Sequence, residues 1–80
     1  MLFDLVASRD HAFWMKDVPI ALDMIFISQD HLVVGILVNV QPFDMTLRSV
    51  GAASRYVLEV PGGWAARHGV LNGAVISEVL

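Results

Sequence analysis

LDMIFISQDHLVVGILVNV, Leu22 to Val40, is the stretch on which the reading of the fold turns. Two apolar runs, Leu22–Ile27 and Leu32–Val40, are dense in Ile, Val, Leu and Phe and flank the polar residues Ser28-Gln29-Asp30-His31. β-Branched and aromatic side chains suit a pleated surface, and a short polar connector suits an antiparallel turn, so the stretch is predicted to be a β-hairpin. Neither run alternates cleanly between apolar and polar. Both faces of the hairpin are therefore expected to be covered, one by the domain core and the other by another layer or another subunit. Gly35, in mid-strand, signals a bulge or a close backbone approach.

Outward from the hairpin the pattern stays mainly β. Leu2–Val6 suits a strand ending in the Ala-Ser-Arg-Asp turn, and the aromatic-rich His11–Lys16 suits a second short strand. Pro19 makes Asp17–Ile20 a connection, and Gln41–Ser54, with Pro42 and Gly51, reads as a long loop of the kind that often carries function. Arg55–Val60 alternates, with Tyr56, Leu58 and Val60 on one face. Pro61-Gly62-Gly63 then opens a short helix over Trp64–His68, which Gly69 closes in a left-handed conformation. His68 would interact favourably with the helix dipole if protonated. Val70–Gly73 reads as a turn and Ala74–Leu80 as a final strand.

With 80 residues the chain is expected to form one domain, residues 1–80, and a domain of that size hides only about 60% of the surface its unfolded chain exposes. Yet 56% of its residues are hydrophobic and its mean hydropathy is +0.65. That excess predicts an exposed apolar patch and a partner, most simply a homo-oligomer. The longest apolar run, Leu32–Val38, falls far short of the about 20 residues of a spanning helix, so no membrane association is expected. The start, Met1-Leu2-Phe3-Asp4, has neither a basic leader nor a cleavage pattern, so a cytoplasmic location is expected. The absence of cysteine excludes disulfides, thiol nucleophiles and thiolate metal sites. A net charge of −3, with five scattered bases, argues against a nucleic-acid surface.

Three residues stand out because they are polar or aromatic within an apolar stretch: Trp14, Lys16 and Asp23. Alternation puts Trp14 and Lys16 on one strand face. With Asp23 on a neighbouring strand they would line a cleft for a small polar or carbohydrate-like ligand, the indole stacking and the charges fixing hydroxyls. The competing reading has Trp14 in the core, Lys16 extending its ammonium to solvent and Asp23 accepting backbone N–H bonds in a turn or bulge. Acid–base catalysis by Lys16 and Asp23 would require strong desolvation of one of them.

Trp64 and Arg67, on the helical turn, are secondary candidates. Gly62-Gly63 resembles an anion-binding helix start, but Pro61 removes a donor, and the pair better serves to turn the strand into the helix with Trp64 plugging the core. His11, His31 and His68 lie in three segments without paired-ligand spacing, so no metal or other cofactor is expected. Asn39, Ser54 and Ser77 show no nucleophile–base arrangement. The reading that results is a binding module rather than an enzyme, with a structural or protein-interaction module, acting as a homo-oligomer without a ligand site, as its alternative.

FWMKDVPIALDMIFIS followed by RYVLEVPGGWAARHGVLNGAVI resembles the bacterial and archaeal family known as domain of unknown function 192. The matching blocks are Phe13–Lys16, Ile20–Asp23, Arg55–Val60 and Gly62–Gly69. The resemblance implies a mainly β domain, a jelly-roll-like or barrel-like sandwich with a short helix near residues 62–68, and no assigned function. Three features depart from the family pattern. Members usually carry a further strand and helix ahead of the segment that here reads MLFDL. The hairpin turn usually holds an aspartate-glycine pair, where this chain has Asp30-His31. A proline-cysteine pair often follows the hairpin, where this chain has Gln41-Pro42 and no cysteine. The first departure leads to the expectation of an N-terminally shortened member whose dimer or higher oligomer covers the edge left open.

Overall fold

The computed structural model describes residues 1–76, and in it the apolar runs become strands β1 (Leu2–Arg9), β2 (Leu22–Ile27), β3 (Val33–Val40) and β4 (Ser54–Pro61), followed by the single-turn helix α1 (Trp64–Arg67). Every pairing is antiparallel, and the order β1-β4-β2-β3 makes one open sheet. The predicted hairpin is the β2–β3 pair. Its partner across β2 is the alternating strand β4, in unbroken register from Leu22↔Pro61 to Ile27↔Tyr56.

All six residues of β2 are buried. Leu22, Met24 and Phe26 pack on one side with Val40 and Val57, while Ile25 and Ile27 pack on the other with Val33. The continuous hydrophobicity of β2 thus reflects two covered faces, and this one chain supplies both covers. Ala65 and Trp64 of α1, with Val70, Ala74 and Ile76, cover the Ile25 face. Phe13, Met15, Val18 and Val50 cover the Phe26 face, with Phe13 edge-on to Phe26 at 5.7 Å between ring centroids. Full burial of each of Met24, Ile25, Phe26 and Ile27 contributes about 1.5–3 kcal/mol.

The cover over the Phe26 face is an irregular double segment, residues 11–20 against 41–50. Phe13 and Arg48 exchange both backbone hydrogen bonds at 2.9 and 2.8 Å, the Met15 N–H donates to the Asp44 carbonyl at 2.7 Å, and the Phe43 N–H donates to the Val18 carbonyl at 3.0 Å. A regular ladder continuing from Phe13↔Arg48 would pair Met15 with Thr46; the bond to Asp44 instead shows that the register slips at once. His11–Lys16 is therefore not the strand that its composition predicts. It carries one isolated bridge, and left-handed Asp17 (φ 62°) turns the chain directly after it.

The mainly β class is as expected. The described residues hold one open sheet, with loops and a helical turn over its faces and no second sheet. The helix spans Trp64–Arg67, and Gly69 follows it at φ +64°, in the left-handed conformation expected there. Of the predicted final strand Ala74–Leu80, only a short pairing lies within the described residues: Val75 bridges Leu32, beside backbone bonds joining 73–76 to His31 and Val33. Residues 77–80 lie outside them.

Gly35 marks a close approach. A Cβ built there would lie 2.3–2.6 Å from the Cβ and both methyls of Val50. Gly35→Ala is therefore expected to destabilise the domain by about 1–3 kcal/mol through overpacking. Val50→Ala removes both clashing methyls but keeps the Cβ, so the double variant should recover only part of that loss. Urea midpoints of the two single variants and the double variant measure the coupling.

Candidate functional site

Asp23 stands at the middle of the sheet, and its side chain is completely buried. The strand pairing explains why an acid is there. Between Leu22↔Val40 and Met24↔Leu37, β3 has one residue more than β2, so Val38 and Asn39 together oppose Asp23 in a β-bulge. Asn39 takes up the extra residue at φ 49°, a conformation that Asn tolerates better than most residues. The bulge frees the Asn39 N–H from the ladder, and it donates to Asp23 Oδ1 at 2.8 Å.

The same carboxylate reaches α1. Gly63, at φ +91°, occupies the N-cap position and offers no side-chain acceptor to the helix. Asp23 supplies it from another strand: the Gly63 N–H donates to both carboxylate oxygens at 3.1 Å, and the Ala65 N–H donates to Oδ2 at 2.9 Å. These are amide groups that a helix start leaves without partners. Burial alone pushes the Asp23 pKa up, but the amides of Asn39, Ala65 and Gly63, aided by the positive charge of Arg67, outweigh it and hold the carboxyl below its ordinary value. Arg67 lies over the same turn, since a Cβ on Gly63 would come within 2.9 Å of its Nη1.

Lys16 and Trp14 lie elsewhere. Phe13 and Met15 point into the core, so alternation sends Trp14 and Lys16 outward, where the Lys16 Nζ sits 5.5 Å from the centroid of the half-exposed indole. The structure brings these two together. Asp23 forms no ion pair or hydrogen bond with either, and among the described residues every hydrogen bond its side chain makes is to a backbone amide. Trp64 packs on the Ile25 side of the core, with its ring stacked on His68 at 4.0 Å between centroids. The His68 Nδ1–H donates to the Trp64 carbonyl at 2.8 Å.

A surface recess of about 180 Å³ lies between residues 37–41 and the Asp44–Arg48 ion pair, whose oxygen and nitrogen are 2.8 Å apart. The Arg48 guanidinium and the Thr46 amide hold the Asp44 carboxyl down at about 2. The recess is smaller than the about 300 Å³ at which pockets for small organic ligands begin. Among the described residues no three His, Asp or Glu side chains are grouped to hold a metal ion, and no helix is long and apolar enough to cross a membrane.

Sequence reasoning passed over Phe43, Met45 and Leu47. All three are exposed, in the loop that pairs with the Trp14 segment. Their spacing of two was a readable signal of exposed apolar side chains, although Phe43 itself stands in a turn at φ 60°.

These elements define a small, mainly β domain in which Asp23, the one fully buried acid among the described residues, serves the backbone. The chain belongs to the DUF192 family: the family model described as Uncharacterized ACR, COG1430 matches residues 1–77. It is similar in structure to a protein of unknown function from Novosphingobium aromaticivorans DSM 12444, with a TM-score of 0.91 and 35% identity over 96% of this chain and 55% of that one. It is similar also to a protein from Sinorhizobium meliloti 1021 described as a candidate transcription regulator, with a TM-score of 0.87 and 36% identity over 91% of this chain and 57% of that one. The chain thus spans little more than half the length of either. No curated protein matches it.

Two outcomes follow for Asp23. Asp23→Ala would leave three amide donors without their acceptor, at about 1–3 kcal/mol each, and is expected to abolish folding or cut stability by more than a typical core truncation. The pH dependence has a definite sign. A carboxyl whose folded pKa lies below its unfolded value of 3.8 stabilises fully above about pH 4 and loses that contribution as pH falls through the folded value. Denaturation midpoints followed from neutral pH into acid should fall below about pH 4, with a shallower fall in Asp23→Asn if that variant folds.

Proposed function

We propose that this domain is a non-enzymatic interaction module, and that its working surface is the outer side of the double segment 11–20/41–50. One observation carries the reading. That layer is apolar on both sides: Phe13, Met15, Val18 and Val50 face the core, while Trp14, Ile20, Phe43, Met45 and Leu47 are 45–66% exposed. Side chains that cover a core need only their inner side to be apolar, so a second apolar side calls for something to cover it. Trp, Phe and Met are also types enriched at interface centres. In layering the domain is sandwich-like, the irregular segment lying over the sheet where a sandwich has its second sheet.

The ligand reading keeps one supporting observation, the Lys16 ammonium beside an exposed indole. What weighs against it is that Asp23 is committed to three amides and that the recess near Asp44 is small. The relative described as a candidate transcription regulator raises nucleic-acid binding. The net charge of −3, with Arg48 and Arg55 already paired to Asp44 and Asp4, does not supply the basic stripe that such binding uses.

Thermal-shift measurements separate the readings, because a ligand that binds only the native state raises the melting temperature by mass action. With sugars, nucleotides and divalent metal ions at millimolar concentration, the expected result is no shift. A rise in melting temperature that Trp14→Ala abolishes while keeping the fold would overturn the interaction reading in favour of a ligand site.

A further inference from the structure

We propose that the outer side of the 11–20/41–50 layer is a two-fold interface and that its occupant is a second copy of this chain. The inference rests on the interaction reading above and names the partner.

Area is the first argument. Trp14, Ile20, Phe43, Met45 and Leu47 are 45%, 55%, 60%, 58% and 66% exposed. At about 150–250 Å² for a large side chain they offer about 500 Å² of apolar surface. A stable interface of standard size buries about 800 Å² on each partner, of which about 56–65% is apolar. Taken together, the exposed apolar surface of the two segments is about what one half of such an interface needs. The backbone bonds Phe13–Arg48, Met15–Asp44 and Phe43–Val18 hold the two segments that carry it side by side.

Charge is the second. Asp44 and Arg48 neutralise each other within the layer, and Lys16 and Asp17 stand side by side with no ion pair among the described residues. The face is balanced, so a strongly acidic or basic partner gains little from it. A two-fold axis requires each contact to occur twice with its roles exchanged. Adjacent unpaired charges of opposite sign meet that requirement, Lys16, beside the Trp14 ring, reaching Asp17 of the partner subunit and the reverse.

The sheet edges are poorer candidates. β1 is interrupted after Asp4 by a register shift where Val6 stands at φ 69°, and such a bulge blocks edge-to-edge pairing. The start of β3 is already paired with residues 73–76. Association by sheet extension therefore has no free regular edge at either position, whereas the loop layer is open.

Sedimentation equilibrium of the 80-residue chain across the micromolar range tests the proposal. The expected species has twice the monomer mass of 8.8 kDa. Leu47→Lys and Phe43→Ser, both at exposed positions, are expected to weaken dimerisation at least tenfold while far-UV circular dichroism stays unchanged, and Leu71→Lys, at an exposed position between residues that cover the opposite face of the sheet, is expected to leave it intact. Lys16→Asp should weaken the dimer and the Lys16→Asp/Asp17→Lys swap should restore it, a recovery that a general loss of stability would not produce. A folded wild-type monomer throughout the range overturns the dimer, as does a dimer indifferent to both Leu47→Lys and Phe43→Ser. Either result with a flat thermal-shift screen leaves the interaction reading standing, whereas a Trp14-dependent ligand shift removes the reading itself.

Discussion

The fold depends on one buried carboxylate. Asp23 joins β2 to the bulge of β3 and to the start of α1, and each contact answers a local deficit: an amide freed by the bulge in one case, uncapped helix amides in the other. A carboxylate suits this position because it accepts several hydrogen bonds and donates none. Its two oxygens face three N–H groups, and amides around an ionised acid stabilise its charge well enough to offset desolvation. The sharp turn at Gly62-Gly63 belongs to the same junction. A side chain on Gly62 would meet the Asn39 Oδ1 at 2.6 Å, and one on Gly63 would meet Arg67. The glycine pair is there for geometry, so that strand, bulge and helix can converge on one acid.

Once that junction is made, the sheet is closed on both faces by elements with little regular structure of their own. α1 is a single turn, far too short to be stable alone, and it persists because Ala65 and Trp64 pack on β2 and Asp23 caps its first amides. The opposite cover has only scattered backbone bonds and is held down by Phe13, Met15, Val18 and Val50. Side-chain burial, more than backbone pairing, fixes this layer in place. That is why Gly35 matters: the layer comes so close to β3 that no Cβ fits beneath Val50.

What the sequence made legible follows from the range of the interactions. The hairpin, the β4 alternation and the short helix are encoded by neighbours in the chain, and all are found; Gly35 announced a bulge or a close backbone approach without naming Val50, whose side chain is what comes close. The acceptor role of Asp23 was readable as an alternative, but its partners lie 16, 40 and 42 residues away, and no local pattern names them. His11–Lys16 has the composition of a strand, yet its register slips beside Asp44, which only the tertiary arrangement decides. Trp14 shows the limit of composition most clearly. An indole in an apolar block suggests core, but the flanking Phe13 and Met15 occupy the inward positions and alternation leaves Trp14 outside.

That alternation divides the signature block between two tasks. Phe13 and Met15 seal the sheet, Trp14 and Lys16 face away from it, and Asp23 closes the junction beneath. The outward residues take no part in the core clusters or the Asp23 network, so their identity is not required by the fold as it stands. An exposed Trp beside exposed Phe, Met and Leu is a cost to a free monomer, since each apolar side chain left in water forgoes the burial that stabilises the rest. Covering that surface would add stabilisation beyond what the core supplies. The irregular backbone of the layer fits the same argument. With few ladder bonds to break, the 41–50 segment can adjust to whatever seats on it while the inward anchors keep the sheet intact.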